Sequence, residues 1–304
     1  MIFYKRSLAF VSIISVAIAL AVLRAPLNAQ VILGSRSKSS KKGMASISGG
    51  TFSMGTDTEK IPDLMKTFNV RRAEIFGDET PDHPVKVSPF YIDKHEVTNM
   101  EFRSFLKKHR EWRKDQAPSN LQNGKYLQDW TANNYPKGKA DFPVVFVTWY
   151  AAVAHCRSQG KRLPTEAEWE FAARGGLTNS TFPWGDEPAD KSRANYGASK
   201  IGAATRVGSY PASGYGLYDM AGNVWEFLAD EWAKYSVGPA LQIDPVAGDD
   251  LFAHGDSYLN VRSRRVIRGG SWGGSPINLR VTYRDSHPPE GAGDHVGFRC
   301  ALSQ

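Results

Sequence analysis

The segment Arg268-Gly269-Gly270-Ser271-Trp272-Gly273-Gly274 is the most informative stretch of this sequence. It belongs to a series of short motifs that follow one another from about Met44 to Ala301. The others, in chain order, are Gly49–Gly55 (GGTFSMG), Glu79–Pro84 (ETPDHP), Tyr91–Asn99 (YIDKHEVTN), Pro143–Trp149 (PVVFVTW), Gly160–Glu170 (GKRLPTEAEWE), Phe182–Gly185 (FPWG), Gly214–Glu226 (GYGLYDMAGNVWE) and Gly297–Cys300 (GFRC). No single motif identifies a fold, but the set in this order is highly specific and predicts one domain over residues 44–303.

The series resembles that of the formylglycine-generating enzymes, the sulfatase-modifying-factor family. This resemblance implies an α+β fold with a C-type-lectin-like core in which regular secondary structure is sparse. The residue pattern also favours an α+β fold. The predicted helices do not alternate with strands at βαβ spacing, and they precede a half of the chain, after Gly176, that is rich in Gly, Pro and Asn.

The resembled enzymes use a cysteine pair as thiolates that bind copper(I), since soft sulfur ligands select that ion. Alignment without gaps after Ser271 places Gly274 and Leu279 at the two cysteine positions. No gap restores the pair, because no cysteine occurs between Cys156 and Cys300. The sequence therefore predicts that copper is not a cofactor and that the chain does not generate formylglycine.

Three helices are predicted from their N-terminal capping signals. They run over residues 99–108 after Thr98, over 149–160 after Thr148, and over 166–174 after Thr165. The segments Trp112 to Lys139 and Ile243 to Asn260 are predicted to form surface loops.

The N-terminus is typical of a secretory leader. Lys5 and Arg6 precede the apolar run Leu8–Leu23, and Leu27-Asn28-Ala29 offers a small-residue cleavage site. We therefore predict a signal peptide over residues 1–29 and a secreted or periplasmic protein. The alternative is an uncleaved anchor, because the apolar run is only a little short of the ~20 residues that span a bilayer.

The formal charge of +7 is concentrated near the N-terminus. Seven basic residues and no acidic residue precede Gly43, and the remainder carries 31 basic and 31 acidic residues. Residues 30–43 are therefore predicted to be a basic linker, and the neutral domain gives no indication of nucleic-acid binding.

Cys156 and Cys300 are the two cysteines of the chain and lie 144 residues apart. In an exported protein they are expected to form a disulfide, with two buried free thiols as the alternative. The family resemblance implies the same bridge, which would tie the C-terminus to the second predicted helix.

A calcium site is predicted within Gly214–Glu226, where two carboxylates bracket a glycine turn. The resemblance implies side-chain oxygens from Asp219 and Glu226 and main-chain oxygens from Gly222 and Val224. The alternative is that both carboxylates only accept loop hydrogen bonds. A second family calcium site would begin at Asn195-Tyr196, but Ser199 occupies the position of its aspartate.

A groove able to bind a ligand is predicted from donors and aromatic residues around the glycine-rich motif. Its candidate residues are Ser271, Trp272, Trp225, Arg280, Tyr283, Arg284 and His295, the last at the position of a substrate-pocket asparagine in the resembled enzymes. Alternatively, Arg280 and Arg284 pair with Asp285, Glu226 or Asp230 to hold loops together.

Five histidines show no metal-binding spacing on any one element, although folding could gather some of them. They are His83, His95, His254, His287 and His295. Glu290, Asp294 and His295 could supply acid–base groups, but the intervening Gly291-Ala292-Gly293 is typical of a mobile loop.

Two functions are compatible with these features. The leading interpretation is an exported, calcium-stabilised protein that binds a ligand or partner, or serves as a structural protein of the envelope. The alternative is an oxidoreductase or tailoring enzyme acting on an exported peptide, sulfatase or siderophore, since some relatives lack the cysteines and act on such substrates. The partner would be an exported protein, a peptide or a small molecule, and a membrane only if the leader is uncleaved.

Overall fold

The computed structural model describes residues 41–235, 238, 240–248 and 255–304. These residues belong to one structural unit, Ser37–Gln304. The predicted signal peptide, most of the predicted basic linker and His254 lie outside the described residues. Within the described ranges, no helix is both long enough and apolar enough to span a membrane.

The strands are short and form three sheets. In chain order they are β1 (Met44–Ile47), β2 (Gly50–Met54), β3 (His83–Val87), β4 (Phe90–Asp93), β5 (Trp225–Glu231), β6 (Gln242–Ile243), β7 (Arg265–Arg268), β8 (Arg284–His287), β9 (Val296–Gly297) and β10 (Ala301–Ser303). The sheet orders are β1-β4-β10, β2-β3-β6 and β8-β7-β5-β9. Pairing is antiparallel except between β3 and β6 and between β5 and β9. The predicted α+β fold with sparse regular structure is confirmed.

The helices are α1 (Ile61–Thr67), α2 (Asn99–Lys108), α3 (Trp149–Ser158) and α4 (Glu166–Arg174). Helices α2 and α4 match the predicted ranges, whereas α3 begins as predicted but ends at Ser158 rather than at residue 160. Capping boxes open α2 at Thr98 and α4 at Thr165. Gly175 ends α4 in the left-handed conformation, which glycine adopts without steric cost. Helix α1 was not predicted, because it has no side-chain cap and is only seven residues long.

The core has two large parts. Helix α3 is buried on nearly every side from Trp149 to Cys156, and the Phe102, Phe105 and Leu106 face of α2 packs in the same cluster. Helix α4 buries Trp169 in the second cluster, together with side chains from all three sheets.

The predicted surface loop at 112–139 is partly wrong. It contains no α-helix or β-strand, as expected, but Trp112, Tyr126, Leu127 and Trp130 are buried against the α2–α3 cluster. Its polar composition concealed these anchors, which bury large apolar surfaces although they are few. Of the second predicted loop, the described part includes β6 and a 3₁₀ helix, Gly255–Asn260, in which Tyr258 is buried.

The predicted disulfide between Cys156 and Cys300 is present, with Cα atoms 5.7 Å apart. It joins the last turn of α3 to the residue before β10. Both cysteines are fully buried. The bridge therefore fixes the C-terminal strand to the central helix.

Replacing both cysteines (Cys156→Ser/Cys300→Ser) is expected to lower the free energy of unfolding by about 4–5 kcal/mol, because the bridge closes a long loop in the unfolded chain. Urea unfolding at equilibrium measures the difference. Wild type in a reducing buffer serves as control and should approach the variant. A loss below about 1 kcal/mol would contradict the prediction.

Candidate functional site

The four-stranded sheet separates the predicted groove residues onto two faces. Arg268 on β7 pairs with Glu226 on β5 and with Arg284 on β8, so the three form one cross-strand row. Successive side chains of a strand point to opposite faces. Trp225 and Tyr283, whose rings are 6.0 Å apart, therefore lie on the other face from this row. The predicted groove that combined Arg284 with Trp225 and Tyr283 is wrong in this respect.

Helix α4 covers the face that carries the charged row. Arg268 donates to Glu166 at 2.8 Å and to Glu170 at 2.7 Å, and Arg284 binds both oxygens of Glu166 at 2.7 Å. These four side chains are almost fully buried. The predicted alternative of structural pairing therefore holds for Arg284, but its partner is Glu166 rather than Asp285, Glu226 or Asp230.

Asp230 extends this network at the start of α4. Its carboxylate accepts the backbone N–H of Glu166 at 2.7 Å and that of Ala247 at 2.9 Å. Burial raises the pKa of Asp230 to about 7, and the neighbouring Glu166 carboxylate adds to the shift. Both effects disfavour the ionised form.

Arg280 is also a structural residue. Its guanidinium donates to both oxygens of Glu79, at 3.0 Å and 2.6 Å, and its side chain is only 1% exposed. Thr56 and Thr282 complete the hydrogen bonding around this pair. Arg280 is therefore not available to clamp a ligand, and the partners predicted for it are wrong.

Of the remaining groove candidates, Trp272, Tyr283 and His295 are partly exposed on the opposite sheet face or next to it. Trp225 and Ser271 are buried there. Trp225 packs against Tyr283, and the ring of His295 lies 6.2 Å from that of His287. His295 contacts Asp294 at 3.0 Å, and burial lowers the pKa of His287. We call Trp225, Tyr283, His287, His295 and the adjacent Trp272 the aromatic surface.

Trp272 links this surface to a cavity of about 180 Å³. Its indole N–H donates to the carbonyl of Asp294 at 3.1 Å. The cavity walls are mostly apolar and include Phe142 and Phe146, while the buried side-chain oxygen of Asn99 on the same lining has no hydrogen-bond partner. Such a cavity can accept an apolar group that carries a hydrogen-bond donor.

The two positions predicted to replace the family's cysteines contain no reactive atom. Gly274 hydrogen-bonds through its backbone to Ser271 and Gly197, and Leu279 is fully buried in a small apolar cluster. Ser271 itself is buried beside them. The two cysteine sulfurs of the chain are joined to each other in the disulfide.

The predicted calcium ligands differ in their fit to a cation. One oxygen of Asp219 accepts the N–H of Gly208, and the other is buried without a partner. Glu226, in contrast, accepts two bonds from Arg299 and one from Trp169, which uses three of its roughly four acceptor sites. Asp219 therefore keeps one oxygen without a hydrogen-bond partner, whereas both oxygens of Glu226 accept hydrogen bonds. Calcium binding by Asp219, Gly222, Val224 and Glu226 stays a prediction.

Histidines do not assemble into a metal centre in the described part of the chain, where no cluster of three or more His, Cys, Asp or Glu side chains is placed to hold an ion. His83 and His95 pack against Tyr235 and Tyr218, respectively, and His287 and His295 belong to the aromatic surface. Ser199, which occupies the position of the aspartate in the family's second calcium site, hydrogen-bonds to Ala194 and Tyr196.

Comparison with known proteins identifies the fold class and the family. Residues 30–304 match the sulfatase-modifying factor enzyme 1-like domain, and the chain belongs to this family. It is 33% identical to the formylglycine-generating enzyme of Thermomonospora curvata, with 86% of this chain and 93% of that enzyme aligned. It is also 33% identical to the inactive C-alpha-formylglycine-generating enzyme 2 of Bos taurus, over 85% of this chain and 87% of that protein. The solved structure of PvdO from Pseudomonas aeruginosa has a TM-score of 0.63 and 27% identity, covering 86% of this chain and 94% of that one.

Sequence reasoning treated Glu166 and Glu170 only as helix residues and missed their role as partners of buried arginines. The available signal was their spacing of four residues, which places both on one face of α4 beside the apolar Trp169. Glu79 was also missed, although it lies within a quoted motif.

Removing one partner of the Glu79–Arg280 pair is expected to destabilise the protein. Glu79→Gln should lower the free energy of unfolding by about 3–5 kcal/mol, because it leaves the buried guanidinium without a counter-charge. The double variant Glu79→Leu/Arg280→Met should be more stable than Glu79→Gln, since it buries no unpaired charge. Urea unfolding of both proteins checks this order, and a wild-type-like Glu79→Gln protein would argue against the structural role.

Proposed function

We propose that this chain is an exported member of the family that binds a ligand or partner at the aromatic surface and does not generate formylglycine. The observation that carries the proposal is the state of its two cysteines. The whole sequence contains two cysteines, and these form the disulfide between α3 and the C-terminal strand. A thiolate pair for copper(I) therefore has no residues to supply it.

Two further observations support this function. A disulfide is typical of proteins exported to an oxidising compartment, which agrees with the predicted leader. The 33% identity to a relative named as inactive indicates that the family includes members without the catalytic activity. The aromatic surface offers contact area from the partly exposed rings of Tyr283 and Trp272, whose polar atoms can orient a ligand.

The second candidate function is a tailoring reaction that uses acid–base groups. It is favoured by the neighbouring imidazoles of His287 and His295 and by the contact of His295 with Asp294. Both imidazoles belong to the aromatic surface, so a peptide or small molecule bound there would contact them. The same surface would thus serve either binding or a tailoring reaction. Only chemical conversion of the bound molecule distinguishes the second function from the first.

We expect the wild-type protein to bind no copper(I) tightly and to form no aldehyde on a cysteine-containing sulfatase peptide. The Gly274→Cys/Leu279→Cys variant should bind roughly one copper(I) per chain, because it restores two soft ligands. A Cβ atom on Gly274 would lie 3.2 Å from Asn278 and from Ser271, which requires only a small adjustment. Competition with a copper(I) chelator and peptide mass spectrometry measure the two properties.

The formylglycine-generating enzyme of Thermomonospora curvata is the positive control for this experiment. If the double variant does not fold, the copper(I) and aldehyde measurements on wild type still test the proposed function. Aldehyde formation by wild type would overturn the proposed function.

Partner binding at the aromatic surface is expected to be position-specific. The full chain, expressed with its leader and with a photo-crosslinking residue in place of Trp272, should form a covalent adduct with the same partner in repeated experiments. The matched control is Trp184, which is also partly exposed but packs on Phe182 in another cluster. Equal adducts at the two positions, or none at Trp272, would contradict the assignment of this surface.

A further inference from the structure

Strand β2 lies at the edge of the sheet β2-β3-β6, and some of its backbone groups point away from the sheet. Thr51 lies opposite Lys86 of β3, but the carbonyl of Lys86 accepts the N–H of Asp244 on the far side of β3. Directly opposite residues of an antiparallel pair either exchange both backbone hydrogen bonds or exchange none. The N–H and C=O of Thr51 therefore face the open edge.

Ser53 has the same orientation as Thr51. It lies opposite Pro84, which has no N–H to donate, and hydrogen-bonded pairs alternate with open pairs along the ladder. In the described part of the chain, the backbone groups of Thr51 and Ser53 form no hydrogen bond outside the sheet. The edge thus offers two donors and two acceptors at the spacing of an extended chain, which another strand can pair with.

A groove runs beside this open edge. A cavity of about 520 Å³ is lined by residues 50–53 of β2 and by residues 176–179, which follow α4. A cavity of about 50 Å³ shares Asp57 and Asp82 with it, and a third cavity, of about 750 Å³, shares Lys60 and Leu64 with the second. We call these three adjoining cavities the β2 groove.

Both ends of the β2 groove carry apolar side chains. At one end, Tyr215 stacks on Phe171, and Tyr215 and Leu177 are 37% and 43% exposed. The cavity at the other end is lined by Phe68, Phe182, Pro276 and Ile277, among others. Exposed apolar residues gathered in a concavity are typical of a binding site.

The middle of the β2 groove has an excess of negative charge. Asp82 accepts a hydrogen bond from Ser53, and Asp57 accepts one from the backbone of Glu59, so both carboxylates have neutral donors. Two arginines that line the same cavity are already bound to carboxylates of the protein, in the pairs Arg174–Glu170 and Arg280–Glu79. The two aspartates therefore face one ammonium group, that of Lys60, and a basic side chain would complement them.

Ser180 adds an unsatisfied polar atom to the same small cavity. It is 7% exposed, and its Oγ is buried without a hydrogen-bond partner. A buried hydroxyl in this state costs free energy, which a polar group of a ligand can recover.

We propose that the β2 groove binds an extended peptide segment of a partner protein, which adds a strand beside β2. The segment exchanges backbone hydrogen bonds with Thr51 and Ser53 and places alternate side chains in the groove. Apolar side chains fill the two ends, and a basic side chain between them binds Asp57 and Asp82. The β2 groove shares no residue with the aromatic surface, so this site does not depend on the proposed function.

The test selects binders to the full chain from displayed random peptides of about nine residues, long enough to cover the five residues of β2. The selected peptides should share a basic residue flanked by apolar residues. One of them, synthesised with a fluorescent label, is then titrated with the protein, and fluorescence polarisation gives its Kd.

A matched pair of variants isolates the backbone interaction. Thr51→Pro removes the outward N–H and should weaken peptide binding by at least about tenfold, because it leaves a peptide carbonyl without a donor. Proline is tolerated in an edge strand when its nitrogen faces away from the sheet, so the protein should still fold. Thr51→Val keeps the N–H and should keep the affinity of wild type. Thermal melting checks that both variants are folded.

A second pair of variants tests the apolar end of the groove. Tyr215→Ala should weaken binding by about tenfold, since aromatic anchors contribute most of the affinity at such interfaces. Met100→Ala changes an exposed apolar residue of α2 outside the groove and should have no effect.

Modified peptides give a measurement that needs no variant protein. N-methylation of the peptide residues that pair with β2 should abolish binding, whereas N-methylation of the residues between them should not. The reason is that successive N–H groups of a strand point to opposite sides.

Three outcomes would overturn the proposal. The first is that no peptide is enriched. The second is that the effects of N-methylation do not alternate, or that Thr51→Val loses as much affinity as Thr51→Pro. The third is self-association of wild type that Thr51→Pro abolishes, measured by sedimentation velocity, because this would assign the edge to a second copy of the chain.

Discussion

The buried guanidinium of Arg268 is the interaction on which the rest of the domain depends. It joins β7 to Glu166 and Glu170 of α4 and also donates to the carbonyl of Val281. A buried ion pair costs desolvation energy, and it is stable only when each remaining donor and acceptor is also satisfied. Here the backbone and the second arginine, Arg284, meet that condition, and these bonds join α4 directly to β7 and β8 of the sheet.

This constraint determines which surface is free for function. The row formed by Glu226, Arg268 and Arg284 uses one face of the four-stranded sheet for internal pairing. Trp225 must then lie on the other face, where it meets Tyr283 near the imidazoles of His287 and His295. The guanidinium groups of Arg268 and Arg284 are thus used for internal pairing. The aromatic surface, which includes the imidazoles of His287 and His295, is on the other side of the sheet.

The chemistry available to the chain follows from where its two cysteines lie. Both are committed to a bridge that stabilises the C-terminus, and the region around Ser271 contains backbone and apolar side chains instead. The family's fold is thereby separated from the thiolate chemistry associated with it, since architecture alone does not determine activity. A binding function needs only the surface, and a different reaction would need the groups around His295.

The sequence by itself determined the family, the three capped helices, the disulfide and the absence of a thiolate pair. These depend on local hydrogen bonds at helix ends or on which residue types are present, and both can be read along the chain. Only the tertiary structure decided that Arg280 pairs with Glu79, that Arg284 pairs with Glu166, and that Glu226 is bound to Arg299. These partners are separated by 201, 118 and 73 residues. The choice among many possible carboxylates depends on strand register and on the face of α4, which no local pattern specifies.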